Sequence, residues 1–377
     1  MHISSSQGRV PGLRGHDPEA GADLYLCRVP KVELHVHLEG AIRPVRLLRI
    51  LERRALHPEW RRPEDLAWLF RHSSFEEFLD HFRFVVTSLR DVQDVHDVAR
   101  DLFLELAAQN VVYAEVLFSA AIFVRQGMPW DELLAAVVEA ESAAFAAARR
   151  SGTPTPDEPS RRYNIVVDLV RNFGPEFALQ QVEGLARADH PRVVGIHLGG
   201  DEVGFPARLF ADAYRVAREA GLGLAAHAGE ADGPASVRDA LDVLGVQRVG
   251  HGIRSLEDPG LVREIVERGI TLEVCPTSNV RTCVVPKLEE HPLPELLQRG
   301  VRVTLGSDDP SYFDTDITRE MQAAHAVLGL NLARLDCVVD EGLRAAFIPA
   351  EEKNAWLEKV RARRASLRRQ LGLPPEV

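Results

Sequence analysis

Eight short runs of β-branched and other apolar residues recur along this chain, and apolar residues at helical spacing occupy much of the sequence between them. The runs cover residues 31–38, 111–118, 163–170, 193–198, 222–227, 247–251, 271–275 and 301–306. Segments such as 207–220 and 235–244 repeat apolar positions every three or four residues, which predicts helices. Strands that alternate with helices indicate a parallel sheet. Eight such units predict an α/β fold, a closed (β/α)8 barrel of the TIM type.

Two regions exceed what a minimal barrel needs. Residues 43–110 follow the first predicted strand and carry apolar side chains at helical spacing, among them Phe78, Phe82 and Val85. They predict a helical insertion where a lid over the barrel mouth would lie, although ordinary core packing explains the aromatic residues about as well. Residues 318–371 predict C-terminal helices.

The length of the chain does not force a division into domains. At 377 residues it could form two average domains, but α/β barrels commonly fold as one unit. We expect one barrel domain over residues 29–377 and a flexible tail over residues 1–28, where Gly, Pro and Ser are frequent. The start lacks the apolar core of a signal peptide, and no apolar run reaches the ~18 residues of a membrane span. These features predict a cytoplasmic protein without a membrane partner.

Cysteine usage and charge narrow the chemistry. Cys27, Cys275, Cys283 and Cys337 form no C-x-x-C pair, which fits a reducing compartment and argues against a thiolate zinc site. Any metal is therefore expected on nitrogen and oxygen ligands. The formal net charge of −11 opposes non-specific binding to nucleic acid, so no nucleic-acid partner is expected. The sequence leaves the oligomeric state open.

Candidate metal ligands lie at three predicted strands. His35 and His37 are two residues apart in a strand, so both side chains leave the same face. A single inward histidine is most often a hydrogen-bonded core group, but a pair at this spacing is harder to satisfy by packing. His227 and Asp308 close the fifth and eighth strands, where barrel enzymes place catalytic groups. Three imidazoles and one carboxylate suit one Zn²⁺ ion, which can lower the pKa of a bound water to about 7.

Candidate proton-transfer and substrate-binding residues lie beside these ligands. Glu230 follows His227 across a glycine and can reach the barrel mouth as a proton-transfer group; a helix N-terminal Glu is the ordinary alternative. His251 lies between two glycines and can polarise a metal-bound water or simply hydrogen-bond in a tight turn. Asp309 diverges from its neighbour in the sequence and can face a substrate. Gly200 lets a backbone N–H approach a planar ligand, but a simple turn explains it equally well.

Six segments together resemble one known family. They are Pro-Lys-Val-Glu-Leu-His-Val-His-Leu-Glu-Gly at 30–40, Gly-Asp-Glu at 200–202, His-Ala-Gly-Glu at 227–230, Gly-His-Gly at 250–252, Cys-Pro-Thr-Ser-Asn at 275–279 and Ser-Asp-Asp-Pro at 307–310. In this order they resemble the metal-dependent adenosine deaminases, which belong to the amidohydrolase superfamily of distorted (β/α)8 barrels. The resemblance runs from about residue 31 to residue 319.

The resemblance implies roles for the residues that match the family's motifs. The implied Zn²⁺ ligands are His35, His37, His227 and Asp308. Glu230 would donate a proton to purine N1, His251 would orient and activate the attacking water, and Asp308 would touch both metal and water. Asp309 would hydrogen-bond N7, and the Gly200 N–H would meet N3. The expected substrate-binding residues are therefore His37, Glu39, Gly200 and Asp309.

The implied activity is hydrolytic deamination of adenosine and 2′-deoxyadenosine to inosine and 2′-deoxyinosine, with release of ammonia. Three positions depart from the family's usual pattern: Glu39 replaces the Asp that contacts ribose, Leu117 replaces an Arg, and Ala120 replaces a Pro. Adenine, or another adenosine-like nucleoside such as aminodeoxyfutalosine, is therefore the alternative substrate.

Two further alternatives concern the class of protein. A binding protein that has lost deaminase activity would lack a metal ligand or the proton donor, and this chain retains all of them. A two-metal hydrolase of amides or phosphoesters would usually need a bridging carboxylated lysine on the fourth strand. Residues 197–200 contain no lysine.

Overall fold

Eight parallel strands form the barrel in the computed structural model, which describes residues 18–72, 75–150 and 161–375. The strands are β1 (Lys31–His37), β2 (Val111–Phe118), β3 (Arg162–Val170), β4 (Val193–Gly199), β5 (Gly223–Ala228), β6 (Arg248–His251), β7 (Thr271–Val274) and β8 (Arg302–Leu305). They are hydrogen-bonded to one another in sequence order. The predicted (β/α)8 barrel is confirmed, and every predicted strand end lies within one residue of the observed one.

The seam between the first and last strands closes just beyond β8. The Asp308 N–H donates to the carbonyl of His35 over 3.0 Å, and the His37 N–H donates to the carbonyl of Asp308 over 2.8 Å. The strands approach closely here, since a Cβ at Gly306 would lie 2.5 Å from the His35 carbonyl oxygen. Only glycine fits at that position. The seam therefore joins the backbones of three predicted metal ligands.

Helices surround the barrel, and further helices precede its first strand and follow its last strand. They are α1 (Pro18–Arg28), α2 (Pro44–Arg53), α3 (Phe75–Thr87), α4 (Val92–Ala108), α5 (Ala120–Val124), α6 (Trp130–Arg150), α7 (Pro175–Ala188), α8 (Ala211–Glu219), α9 (Pro234–Arg238), α10 (Pro259–Arg268), α11 (Pro276–Arg281), α12 (Leu293–Gln298), α13 (Pro310–Phe313), α14 (Ile317–Ala326), α15 (Leu332–Ala345) and α16 (Ala350–Leu371). Short 3-10 turns join several of them. Among the residues described, no helix is long and apolar enough to cross a bilayer.

The segment predicted as a helical insertion is helical. It contains α2, a 3-10 helix at Pro63–Phe70, α3 and α4. Phe78 and Phe82 on α3 contact Tyr312 on α13, with ring centroids 5.5 Å apart in each pair. Because α13 follows β8 directly, this aromatic contact holds α3 over the mouth of the barrel. The C-terminal helices predicted over residues 318–371 are present as α14, α15 and α16.

The prediction of a flexible tail over residues 1–28 is wrong for residues 18–28. Residues 18–28 form α1, and Tyr25 and Leu26 on that helix are fully buried. The Tyr25 hydroxyl donates to Asp336 on α15 over 2.7 Å, and the Arg368 guanidinium of α16 lies 4.9 Å from the Tyr25 ring centroid. The frequent Gly and Pro suggested a loose segment, but these contacts with distant helices order it. Residues 1–17 lie outside the described part of the chain.

Candidate metal and catalytic site

Four buried side chains meet at the carboxyl end of the barrel: His35 and His37 on β1, His227 on β5 and Asp308 after β8. One ligand atom from each lies within 4.8 Å of all the others. Asp308 Oδ1 is 3.5 Å from His35 Nε2 and 3.4 Å from His37 Nε2. Within the described residues His35 Nε2 has no hydrogen-bond partner. Three nitrogens and one carboxylate oxygen at this spacing fit a metal site.

The electrostatics of this cluster also favour a cation. Burial lowers the pKa of His37 to about 4 and that of His227 well below its ordinary value, so both imidazoles are neutral and can bind metal. Burial also disfavours charge on His35, but the neighbouring carboxylates of Asp308 and Glu273 raise its pKa to about 10. These two carboxylates therefore require a positive charge at His35, which a proton or a metal ion can supply.

A buried chain of charges orients His35. Its Nδ1 is 2.8 Å from Glu273 Oε2, and Glu273 Oε1 is 2.6 Å from Arg248 Nε. Arg248 also pairs with Glu115 across 2.6 Å, and its guanidinium lies 3.6 Å from the Phe347 ring centroid. With Nδ1–H donating to Glu273, the lone pair of His35 Nε2 points at the cluster. Such outer carboxylates fix the tautomer of metal-binding histidines.

His197 on β4 has a comparable position beside His227, and the sequence interpretation missed it. The two Nδ1 atoms are 3.2 Å apart. His197 Nδ1 is also 3.3 Å from Asp168 Oδ1, and its Nε2 is 3.7 Å from Glu273 Oε2. If His227 binds metal through Nε2, its Nδ1 carries hydrogen, and His197 Nδ1 is the acceptor within reach. A histidine two residues before the carboxyl end of β4 was the signal that could have revealed this contact.

Glu202 holds the loop that carries Glu230. Its Oε1 accepts the N–H of Gly229 over 2.6 Å, and its Oε2 accepts those of Glu230, Ala231 and Asp232 over 3.2, 2.7 and 3.0 Å. Four consecutive N–H groups therefore converge on one buried carboxylate. The Gly-Asp-Glu motif was singled out in the sequence, but this anchoring role was not predicted.

Glu230 has the properties of a proton donor. Its side chain lines the cavity above the cluster, and its Oε2 is 3.5 Å from His251 Nε2. Burial, and then the charges of Asp308 and Glu202, raises the pKa of Glu230 well above its ordinary value. A carboxyl group with a raised pKa holds its proton more readily than an exposed Glu does, as a proton donor must.

A relay of hydrogen bonds fixes the tautomer of His251. The backbone N–H of Leu293 donates to His291 Nδ1 over 3.1 Å, so His291 carries its proton on Nε2. That Nε2–H donates to Asn279 Oδ1, and the Asn279 amide donates in turn to His251 Nδ1, each over 3.1 Å. Burial lowers the pKa of His251 to about 3. His251 is therefore neutral and directs Nε2–H toward Glu230 and Asp308.

The pKa values of the adjacent Asp308 and Asp309 carboxyl groups shift in opposite directions. Burial disfavours the charged form of Asp308, yet the nearby imidazoles of His35, His251 and His37 hold its pKa below the usual range. The Ser278 hydroxyl also donates to Asp308 Oδ2 over 2.6 Å. Burial and the charge of Asp308 raise the pKa of Asp309 well above its ordinary value. The pKa values of these two neighbouring carboxyl groups thus shift in opposite directions, and both side chains line the cavity.

The remaining predicted substrate-binding residues differ in position. Gly200 lines the cavity with φ +99°, and a Cβ there would lie 2.5 Å from Asn172 Oδ1, so glycine is required. Glu39 is fully buried and is not part of the cavity wall. Its Oε1 accepts the Ser119 N–H over 3.0 Å, and burial raises its pKa to about 8. Ser119, rather than Glu39, faces the cavity at this point.

A cavity of about 610 Å³ lies above the cluster and continues outward. Its deep end includes His37, His227, Glu230 and Asp309. Its outer wall is formed chiefly by α3, with contributions from α5 and from the turn after β3. Pockets of about 300–1,000 Å³ hold drug-sized ligands, so this cavity has room for more than a single purine base.

The fold and this arrangement agree with comparisons with known proteins. Residues 30–363 match the profile of the family described as adenosine deaminase. This chain belongs to the adenosine deaminase family. The family predicted from the motifs is thereby confirmed, and the chain is an aminohydrolase, a hydrolytic deaminase.

Individual relatives of this deaminase differ in the substrates for which they are named. An aminodeoxyfutalosine deaminase of Acidothermus cellulolyticus is 36% identical, and the alignment covers 90% of this chain and 92% of the relative. An adenine deaminase of Agrobacterium fabrum is 35% identical over 88% of this chain and 97% of its own length. A solved amidohydrolase from Burkholderia ambifaria with bound Zn superposes with a TM-score of 0.83 at 27% identity, covering 94% and 95% of the two chains.

Replacing His197 tests its contact with His227. In His197→Leu, His227 Nδ1–H loses its acceptor, and we expect the deaminase to bind zinc about 10- to 100-fold more weakly. Competition with a chelator, read as metal content, measures the change. His197→Asn keeps an oxygen acceptor and should lose less affinity. Native zinc affinity in His197→Leu would show that His227 does not depend on this contact.

Removing the Glu202 carboxylate tests the loop anchor. Glu202→Ala leaves four N–H groups without their acceptor, so Glu230 should shift and kcat/KM should fall about 100-fold, with metal content unchanged. The matched control is Asp201→Ala, since the Asp201 side chain accepts only the Gly204 N–H within the described structure. Equal rates in the two variants would contradict the anchoring role.

Proposed function

We propose that this deaminase is a zinc enzyme that hydrolyses the 6-amino group of an adenosine-like nucleoside with an extended N9 substituent. Aminodeoxyfutalosine is the example among the named relatives. The observation that carries the proposal is the cavity, which continues from Glu230 and Asp309 to α3 and α5. A free base would fill only its deep end.

The ligand set is the first part of the proposal. His35, His37, His227 and Asp308 hold one Zn²⁺ ion per subunit. A zinc ion in such a cluster acidifies a bound water and thereby supplies a nucleophile at neutral pH. The solved relative with bound Zn at 27% identity supports this choice of metal.

The other side chains position and protonate the purine. Glu230, whose pKa is raised by burial, donates a proton to N1 and so makes C6 electrophilic. His251 directs its Nε2–H toward the same space and orients the attacking water. Asp309, in its neutral form, hydrogen-bonds N7, and the Gly200 N–H meets N3. The water gives its oxygen to C6, and the amino group leaves as ammonia.

Adenosine, the substrate expected from the sequence, has less support than the alternatives. The relatives described above are named for adenine and for aminodeoxyfutalosine. Adenine is the second candidate, and the specific observation in its favour is Glu39. A buried glutamate whose Oε1 is engaged by the Ser119 N–H lies behind the cavity wall and offers a ribose hydroxyl no direct contact.

Parallel assays decide the substrate class. We expect the zinc-loaded protein to deaminate aminodeoxyfutalosine with a kcat/KM at least tenfold above that for adenosine, and both above that for adenine, followed by the change in ultraviolet absorbance. A preference for adenine would assign the enzyme to the free base. Failure of all three substrates in a protein with full zinc content would refute the proposal.

Substituting the proton donor tests the mechanism separately. Glu230→Gln preserves the shape of the side chain but cannot transfer a proton, so turnover should fall about 10²- to 10⁴-fold while zinc content stays native. His227→Ala, by contrast, should lose zinc together with activity. Normal turnover by Glu230→Gln would exclude Glu230 as the proton donor.

A further inference from the structure

The ionisable side chains at the two ends of the cavity differ. The carboxyl groups of Asp168, Glu230, Asp308 and Asp309 line its deep end around the metal cluster. The outer wall instead carries two arginines, Arg83 and Arg125 (the residue that ends α5). In the proposed pose the purine fills the deep end beside the metal cluster, so an anionic group at the far end of the N9 substituent would lie at the outer end.

The two arginines are not equivalent. Arg83 donates to Asp80 Oδ1 over 2.9 Å, one turn earlier on α3, so an adjacent carboxylate offsets its charge. In the described part of the chain, Arg125 pairs with no carboxylate. Its guanidinium lies 4.5 Å from the ring centroid of Phe173 and 5.6 Å from that of Phe177. These rings orient the cation without neutralising it.

The walls between the two ends are largely apolar. They are formed by Phe78, Leu79, Phe82 and Val86 of α3, and by Ile122 of α5. A substituent that crosses this part of the cavity would gain by burying carbon rather than by hydrogen bonding. The geometry therefore suits a purine at the deep end, an apolar spacer and an anion at the outer end.

We propose that Arg125 forms a subsite for an anionic group, a carboxylate or a phosphate, carried at the far end of the N9 substituent. The proposal rests on the proposed function, since it assumes that the purine occupies the deep end. A guanidinium can bind either anion through paired N–H donors. In a chain with net charge −11, this cation also makes one end of the cavity attractive to an anion that the protein as a whole repels.

Substrate pairs that differ in charge test the subsite. Adenosine is the neutral reference, adenosine 5′-monophosphate supplies a phosphate, and aminodeoxyfutalosine supplies a carboxylate on an aromatic ring. In Arg125→Met, kcat/KM for the anionic substrate should fall about 10- to 100-fold, while that for adenosine should change less than about twofold. Arg125→Lys should recover part of the loss. Whichever anionic substrate loses rate in Arg125→Met shows whether Arg125 binds a phosphate or a carboxylate.

Arg90→Met is the matched control. Arg90 is an exposed arginine that is not part of the cavity wall, and its Nη1 donates to Gln126 Oε1 over 3.2 Å. The Arg90→Met variant should deaminate all three substrates with the native kcat/KM. An equal loss on adenosine and on both anionic compounds in Arg125→Met would overturn the proposal, because Arg125 would then act on the fold. An unchanged rate on both anionic compounds would also overturn it.

Binding measurements separate this proposal from the proposed function. Calorimetric titration with the same three compounds gives affinities even if none is deaminated. Tighter binding of either anionic compound than of adenosine, abolished in Arg125→Met, would support the subsite in a protein whose proposed activity had failed. Equal affinities for charged and neutral compounds in the native protein would refute the subsite, whatever the rates.

Discussion

Barrel closure and assembly of the metal cluster depend on the same hydrogen bonds. The last strand meets the first through Asp308, whose N–H and carbonyl pair with His35 and His37. The two histidines and the carboxylate are therefore fixed relative to one another by backbone geometry before any ion binds. Asp308 adopts φ +61°, a conformation that costs a non-glycine residue about 1–3 kcal/mol and is retained only where its surroundings enforce it. The hydrogen bonds that close the seam hold Asp308 in this conformation.

The buried charges around the cluster are tolerated because opposite charges or hydrogen-bond donors lie beside them. Removing an ionised group from water costs several kcal/mol unless opposite charge and hydrogen bonds replace the solvent. Glu273 faces Arg248 on one side and His35 on the other, and Glu202 is surrounded by four backbone N–H groups. Such closely matched groups have little freedom to reorient. His35 Nε2 and His251 Nε2, which face the site, are among the buried atoms without a hydrogen-bond partner in the described residues.

The sequence was sufficient to predict the barrel and the candidate ligands that the structure brings together, since both follow from local patterns. Runs of β-branched residues give the strands, and the alternation of side chains in a strand places His35 and His37 together. The outer contacts escaped prediction because they join distant residues with no local signature. Glu202 can accept the N–H groups of residues 229–232 only after two loops have come together. The Tyr25 hydroxyl donates to Asp336, which lies 311 residues further along the chain. Arg125 is an ordinary surface arginine until the cavity is seen.

Substrate choice in this deaminase is set away from the reacting atoms. In the proposed pose Glu230 and Asp309 contact only the purine ring, and His251 faces the attacking water. An adenine-containing substrate of any size presents the same N1, C6 and N7 to this site. Discrimination among such substrates must come from what the cavity offers beyond N9, because uniform contacts cannot distinguish them. That part of the wall belongs to α3 and α5, outside the strands that hold the cluster. Changes there can alter the substrate without disturbing the seam.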